Sequence, residues 1–153
     1  MAKTSAGLLM YRVRGGGLEV FLVHPGGPFY ATKDDGAWTI PKGEFGHEDP
    51  LEAAQREFKE ETGFEARGPF LMLGTLKQAG GKLVSAWAFE GDCDPAKLKS
   101  NTFEMEWPRG SGTVVKFPEV DRGAWFTLRQ AGMKILAAQK GFLEEMSRRV
   151  VAS

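Results

Sequence analysis

The stretch Arg56-Glu57-Phe58-Lys59-Glu60-Glu61-Thr62-Gly63-Phe64 decides how this chain is read. It packs three carboxylates into about one and a half helical turns, at the end of a helix that tolerates them least. Glu57 stands three residues before Glu60 and four before Glu61, so all three share one side. Like charges so spaced cost a helix roughly 0.2–0.5 kcal/mol per pair. Gly63 is a natural helix stop, so Glu60 and Glu61 also face the negative end of the macrodipole, at roughly 0.3–1 kcal/mol each. Two broken local rules in one place point to a site. A hard divalent cation, which takes oxygen ligands, is the simplest relief.

Working outward, Asp49-Pro50-Leu51-Glu52 is a strong helix start. Asp49 can cap, Pro50 suits the first helical position and Glu52 can close a capping box. The helix is expected to end near Thr62, with Leu51, Ala54 and Phe58 as its apolar stripe. Glu60, Glu57 and Glu61 span an arc of about 100° beside that stripe, at the edge of the buried face. Upstream, residues 6–13 and 19–24 read as strands joined by Gly15-Gly16-Gly17 in a hairpin. Residues 25–38, rich in Gly, Pro and Asp with Phe29 and Tyr30 embedded, read as a long functional loop. Residues 69–78 and 82–90 form a second hairpin about Ala79-Gly80-Gly81, with Leu83, Ser85, Trp87 and Phe89 on one face. Residues 101–112 read as irregular. A strand follows near 113–117, with a further one possible near 123–126. The tail from Leu128 to Val150 has helical periodicity with a break at Gly141. Strands first, with the key helix between hairpins, give an α/β layered domain spanning residues 1–153.

Composition bounds the rest. Apolar residues make up 42% and charged residues 26% of the chain, ordinary for a globular protein. Twenty Lys and Arg balance twenty Asp and Glu, so no general attraction to a nucleic-acid polymer or an anionic membrane is implied. An anionic ligand must be held by local groups or metal. Apolar runs fall far short of a membrane span, and Met1–Ala6 lacks the features of a secretory signal. The single cysteine, Cys93, fits a reducing compartment and the role of a small structural hydrophobe. A cytoplasmic location is expected. His24 reads as a strand-end residue and His47 as loop filler. Phe29, Tyr30 and Trp107 have the surroundings of base-stacking aromatics.

The central stretch resembles the Nudix hydrolase signature, in which Gly, five residues, Glu, seven residues and Arg-Glu lead to an apolar residue, any residue, Glu-Glu, any residue, Gly and an apolar residue. Here Glu48, seven residues on, meets Arg56-Glu57-Phe58-Lys59-Glu60-Glu61-Thr62-Gly63-Phe64. Ile40-Pro41-Lys42-Gly43 resembles the family's lead into the box, and Pro118 to Phe126 its final strand. One departure stands out: Gly43 and Glu48 are separated by four residues, Glu44-Phe45-Gly46-His47, where the family has five.

The resemblance implies a Nudix-type α/β/α sandwich with a mixed sheet. It implies Mg²⁺- or Mn²⁺-dependent hydrolysis of a pyrophosphate bond in a nucleoside diphosphate derivative, either a dinucleoside polyphosphate or a nucleoside triphosphate. By similarity Glu57, Glu60 and Glu61 hold metal, Glu48 adds to the outer shell, and Glu57 also assists the attacking water. Arg56 orients these carboxylates, Lys42 contacts phosphate, and Phe29 and Tyr30 contact substrate. Glu104 and Glu106 are the candidates for a further catalytic carboxylate outside the box. The partner is a small nucleotide or dinucleotide. The competing reading is a catalytically weakened nucleotide-binding or regulatory module, motivated by the short loop.

Overall fold

A computed structural model describes residues 3–150; Met1, Ala2 and residues 151–153, to which the readings of the N-terminus and of a domain over 1–153 extend, lie outside it. Strands β1 (Thr4–Arg14) and β2 (Gly17–Pro25) form the first hairpin, longer at both ends than the hydrophobic pattern suggested. Gly15 and Gly16 adopt φ of 59° and 80°, and Arg14 pairs with Gly17. A two-residue turn with positive φ at both positions matches the strand twist and is open to glycine at little cost.

The remaining elements are β3 (Lys42–Glu44), α1 (Pro50–Thr62), β4 (Leu71–Lys77), β5 (Leu83–Glu90), β6 (Thr102–Glu106), β7 (Val114–Pro118), β8 (Val120–Thr127), α2 (Leu128–Lys134) and α3 (Lys140–Arg149). The main sheet runs β4-β5-β1-β2-β8, with β3 added to β1. It is mixed: β1 lies parallel to β5, and its other pairings are antiparallel. Apolar side chains cover both faces. On one, Phe58 and two alanines of α1 pack against Leu8, Phe21 and Phe89. On the other, Phe142 and Met146 of α3 and Ala131 of α2 pack against Leu9, Leu22 and Ala86. The α/β/α sandwich follows from β1 being apolar at consecutive positions, since Ala6, Leu8, Leu9 and Met10 are all buried.

Helix α1 begins and ends as its local sequence dictates. The Asp49 carboxylate accepts from the Glu52 N–H at 3.1 Å, Pro50 occupies the first position, and Gly63 closes the helix at φ 80°. Ala53 joins the buried stripe, while Leu51 is only half-buried.

Two expectations need correction. Residues 101–112 are not irregular throughout: β6 pairs with β7 as a separate two-stranded sheet. Phe103, Met105 and Trp107 alternate with exposed Glu104 and Glu106, the period-2 signal of a strand with one covered face. The helical tail breaks at Ile135 and Leu136, before a 3₁₀ turn at Ala137–Gln139, and Gly141 lies inside α3. The cause is long-range: Ile135 bridges Trp38, and the Leu136 N–H donates to the Trp38 carbonyl at 2.7 Å. Gly141 marks a close approach instead, since a Cβ there would meet Leu76 at 3.0 Å. His24 does stand at a strand end, the penultimate residue of β2, where it is a fully buried clamp. Its Nδ1 lies 2.9 Å from Asp121 and its Nε2 2.7 Å from the Lys33 carbonyl, tying β8 and the 26–38 loop to the end of β2.

Candidate active site

Strand β3 is short and polar, yet it is fixed by pairing Gly7 with Lys42, Ala6 with Gly43 and Ser5 with Glu44. Helix α1 crosses directly behind it. A Cβ on Gly43 would stand 2.0 Å from the Glu57 carboxyl carbon, so only glycine lets the helix bring this carboxylate against the strand. On its other side Glu61 accepts from the Lys42 N–H at 3.3 Å. The helix thus meets β3 through two of its glutamates, Glu57 at Gly43 and Glu61 at Lys42.

Arg56 organises the rest. Its guanidinium grips Glu48 with two bonds of 2.6 and 2.9 Å. Its Nη1 reaches Glu57 at 2.9 Å and Glu60 at 3.1 Å. One fixed cation therefore meets three carboxylates, a fork geometry that lysine cannot supply. The four-residue loop from Glu44 to His47 still delivers Glu48 to Arg56, and His47 is exposed.

The C-terminal turn of α1 is tied down from outside. Its carbonyls at Glu60 and Thr62 accept from Asn101 and Lys99 at 2.8 and 2.9 Å, and Asn101 in turn accepts from the Glu119 N–H at 2.8 Å. Glu119 is thereby carried to the cluster, at the step between β7 and β8. Together these groups line a cavity of about 530 Å³ that also takes in Lys42, Lys82 and Thr102, within the range of small-ligand sites.

Charge in this cavity is poorly compensated. Burial raises Glu61 from the ordinary carboxylate value of 4.5 to about 8, opposed by Lys42 and reinforced by Glu57 and Glu119. Glu57 is also raised, first by burial and then by Glu60, against the pull of Arg56. Glu48, solvated and gripped by Arg56, is lowered. Perturbed carboxyls converging in a cleft mark a functional-site candidate. An all-oxygen donor set short of positive charge also fits a hard divalent cation. Among the described residues no three carboxylates already converge on a single point; Arg56 draws Glu48, Glu57 and Glu60 to itself, and Glu61 turns to the Lys42 backbone.

The structure thus brings together Lys42, Glu57, Glu60 and Glu61 along the cavity, with Arg56 and Glu48 flanking it. It leaves the other sequence candidates elsewhere. Glu104 pairs across the outer hairpin with Lys116. Glu106 accepts from the Gly110 and Gly112 N–H groups at 2.7 and 3.1 Å, closing the hairpin's own turn. Both sit on the face of β6 opposite Phe103 and Met105, as strand alternation requires. Phe29 and Tyr30 are exposed, Phe29 edge-on to Trp107 at 5.5 Å and Tyr30 under the Lys33 ammonium at 5.2 Å. Sequence reasoning missed Glu119 and Lys82. Glu119 lies within the Pro118–Phe126 stretch but outside the box, Lys82 stands in no motif, and both reach the cavity through long-range pairing.

The family profile described as the NUDIX domain matches residues 1–149. No curated protein sequence matches at a significant level. Among solved structures, a Caenorhabditis elegans Ap4A hydrolase in a binary complex superposes with a TM-score of 0.66 at 25% identity, covering 95% of this chain and 96% of that one. The NUDIX domain of Shewanella oneidensis NrtR, complexed with ADP ribose, gives 0.68 at 14% identity, covering 97% and 88%. A MutT protein from Methanosarcina mazei Go1 gives 0.61 at 22%, covering 97% and 94%; these last two share the fold. With the profile spanning nearly the whole chain, and the glutamate helix set against its glycine strand, this protein belongs to the Nudix family of pyrophosphohydrolases.

Proposed function

We propose that this chain hydrolyses a pyrophosphate bond in a nucleoside diphosphate derivative, with dinucleoside polyphosphates as the leading class, in the presence of Mg²⁺ or Mn²⁺. The observation that carries the reading is the meeting of Glu57, Glu60, Glu61 and Glu119 with Lys42 and Lys82 in one cavity. The similarity to the nematode Ap4A hydrolase, which extends over both chains almost end to end, supports the substrate class. Nucleoside triphosphates are the second candidates.

In this reading Glu57, Glu60 and Glu61 hold the cation, with Glu48 behind them. When bound, such an ion offsets phosphate charge and acidifies water. Lys42 and Lys82 take phosphate oxygens on the walls, and Arg56 keeps the carboxylates oriented. A carboxylate within the cavity, Glu57 or Glu119, accepts the proton of the attacking water. The water oxygen bonds to phosphorus, the bridging P–O bond breaks, and the leaving phosphate departs with the electron pair. Glu119 replaces Glu104 and Glu106 as our candidate carboxylate outside the box. Phe29 and Tyr30, on the exposed loop, remain our candidates for contacting the nucleoside end.

Phosphate release after coupling to phosphatase, measured over diadenosine tetraphosphate, diadenosine triphosphate and the nucleoside triphosphates with Mg²⁺ or Mn²⁺, tests the proposal. Turnover that stops in EDTA is expected. Binding in calorimetry without turnover of any of these would sink the enzyme reading in favour of a nucleotide-binding module.

A further inference from the structure

Away from the glutamates, two polar side chains are joined in an otherwise apolar layer. Gln139, in the 3₁₀ turn before α3, is completely buried among residues of the α2/α3 face. Its Oε1 accepts from the backbone N–H of Ile40 at 3.0 Å, and its Nε2 donates to the Gln78 Oε1 at 3.1 Å. The backbone donor fixes the orientation of the first amide, and that orientation fixes the second.

Each end of this relay leads to a wall of the cavity. Ile40 is two residues before Lys42. Gln78 opens the loop to Lys82: its N–H donates to the Lys82 carbonyl at 2.7 Å, and its carbonyl accepts from Gly81 at 3.1 Å. That loop turns on Gly80 and Gly81, at φ of 78° and 81°, residues that leave the backbone free unless it is anchored. Lys42 and Lys82 are the lysines that line the cavity.

We propose that Gln139 and Gln78 are positioning residues. Their amide pair, buried at Gln139 and half-buried at Gln78, sets the spacing between Lys42 and Lys82, and so the fit of the cavity to the phosphate chain of the substrate. A polar pair in an apolar layer is costly unless fully satisfied, and here the satisfied ends are the two lysine-bearing segments. The substrate part of this inference rests on the function proposed above; the coupling of the two walls does not.

The test uses the full chain and three variants: Gln139→Met, which cuts both links, Gln78→Met, which cuts the link to the Lys82 loop, and Gln78→Glu, whose carboxylate still accepts from Gln139. With diadenosine tetraphosphate or ATP as probe, Gln139→Met is expected to raise KM about tenfold with kcat changed less than threefold, the mark of lost ground-state binding. Gln78→Met raises KM at least threefold, and Gln78→Glu stays within twofold of wild type. Amide exchange in the metal-free protein reads the relay without turnover. Gln139→Met speeds exchange in residues 40–44 and 78–83, Gln78→Met in 78–83 alone, and Gln78→Glu in neither.

A wild type inactive on every nucleotide defeats the proposed function and leaves the exchange result to decide the relay. Unchanged exchange in both methionine variants, unchanged KM in both with an active wild type, or a Gln78→Glu loss equal to that of Gln78→Met overturns the positioning role. Should Gln139→Met fail to fold, the paired variants at half-buried Gln78 decide.

Discussion

Replacing Glu61 by Gln should stabilise the metal-free protein while abolishing its activity. Gln keeps the size of the side chain and an oxygen to accept from the Lys42 N–H, but removes an ionisable group whose charged form the cavity disfavours. The Glu61 carboxyl stands at about 8 in the fold against an ordinary 4.5. The folded state therefore binds the proton more tightly than the unfolded chain. Between pH 4.5 and 8 the unfolded chain has released that proton and the folded state has not, so wild-type stability falls as pH rises across this window. Below it Glu61 costs nothing; above it the full cost is present. At pH 7 the gap is about 2.5 units, and at about 1.4 kcal/mol per unit the ceiling is roughly 3 kcal/mol. Solvent at the cavity mouth screens part of it, so a gain of about 1–3 kcal/mol is expected.

Urea unfolding in EDTA at pH 4, 5.5, 7 and 8.5 measures this. With a slope near 2 kcal/mol/M, the midpoint should rise by about 0.5–1.5 M at pH 7 and by nothing measurable at pH 4. Mg²⁺ should then raise the stability of the wild type more than that of the variant, because a ligand of the folded state stabilises by mass action. A stability difference that stays flat from pH 4 to 8.5 would refute the reasoning, since the gain would then come from something other than the buried charge.

Three further outcomes follow from the same geometry. Glu119→Gln should lower kcat by at least tenfold, while Glu104→Gln and Glu106→Gln stay within twofold; equal losses at Glu106 would return the extra carboxylate to the β6–β7 hairpin. Gly43→Ala places a methyl 2.0 Å from the Glu57 carboxyl carbon. It should cost at least a hundredfold in turnover with circular dichroism unchanged, and wild-type rates would show that Glu57 is free to move. Inserting a glycine between His47 and Glu48 should leave Mg²⁺ affinity in calorimetry unchanged or lower, because Glu48 already grips Arg56 at 2.6 and 2.9 Å. A clear gain would mean that the short loop holds the site open.

What could be read in advance divides by the range of the forces involved. Helix α1 was legible to the residue because Asp49, Pro50 and Gly63 act within a few positions of where they stand. The glutamate cluster was legible for the same reason, as repulsion along a single helix. The break at Ile135 was not, because Trp38, nearly a hundred residues earlier, takes the bond that would have continued the helix. Alternation at Phe103, Met105 and Trp107 was there to be read, and it would have set Glu104 and Glu106 on the far side of a strand. Glu119 is the harder case. Its place in the cavity depends on Asn101 holding it and on the C-terminal carbonyl of Glu60 holding Asn101. The helix end where Glu60 and Glu61 crowd together is thus what carries a fourth carboxylate to the cluster. The same terminus that makes Glu60 and Glu61 costly also recruits Glu119, and so deepens the negative charge that a cation must balance.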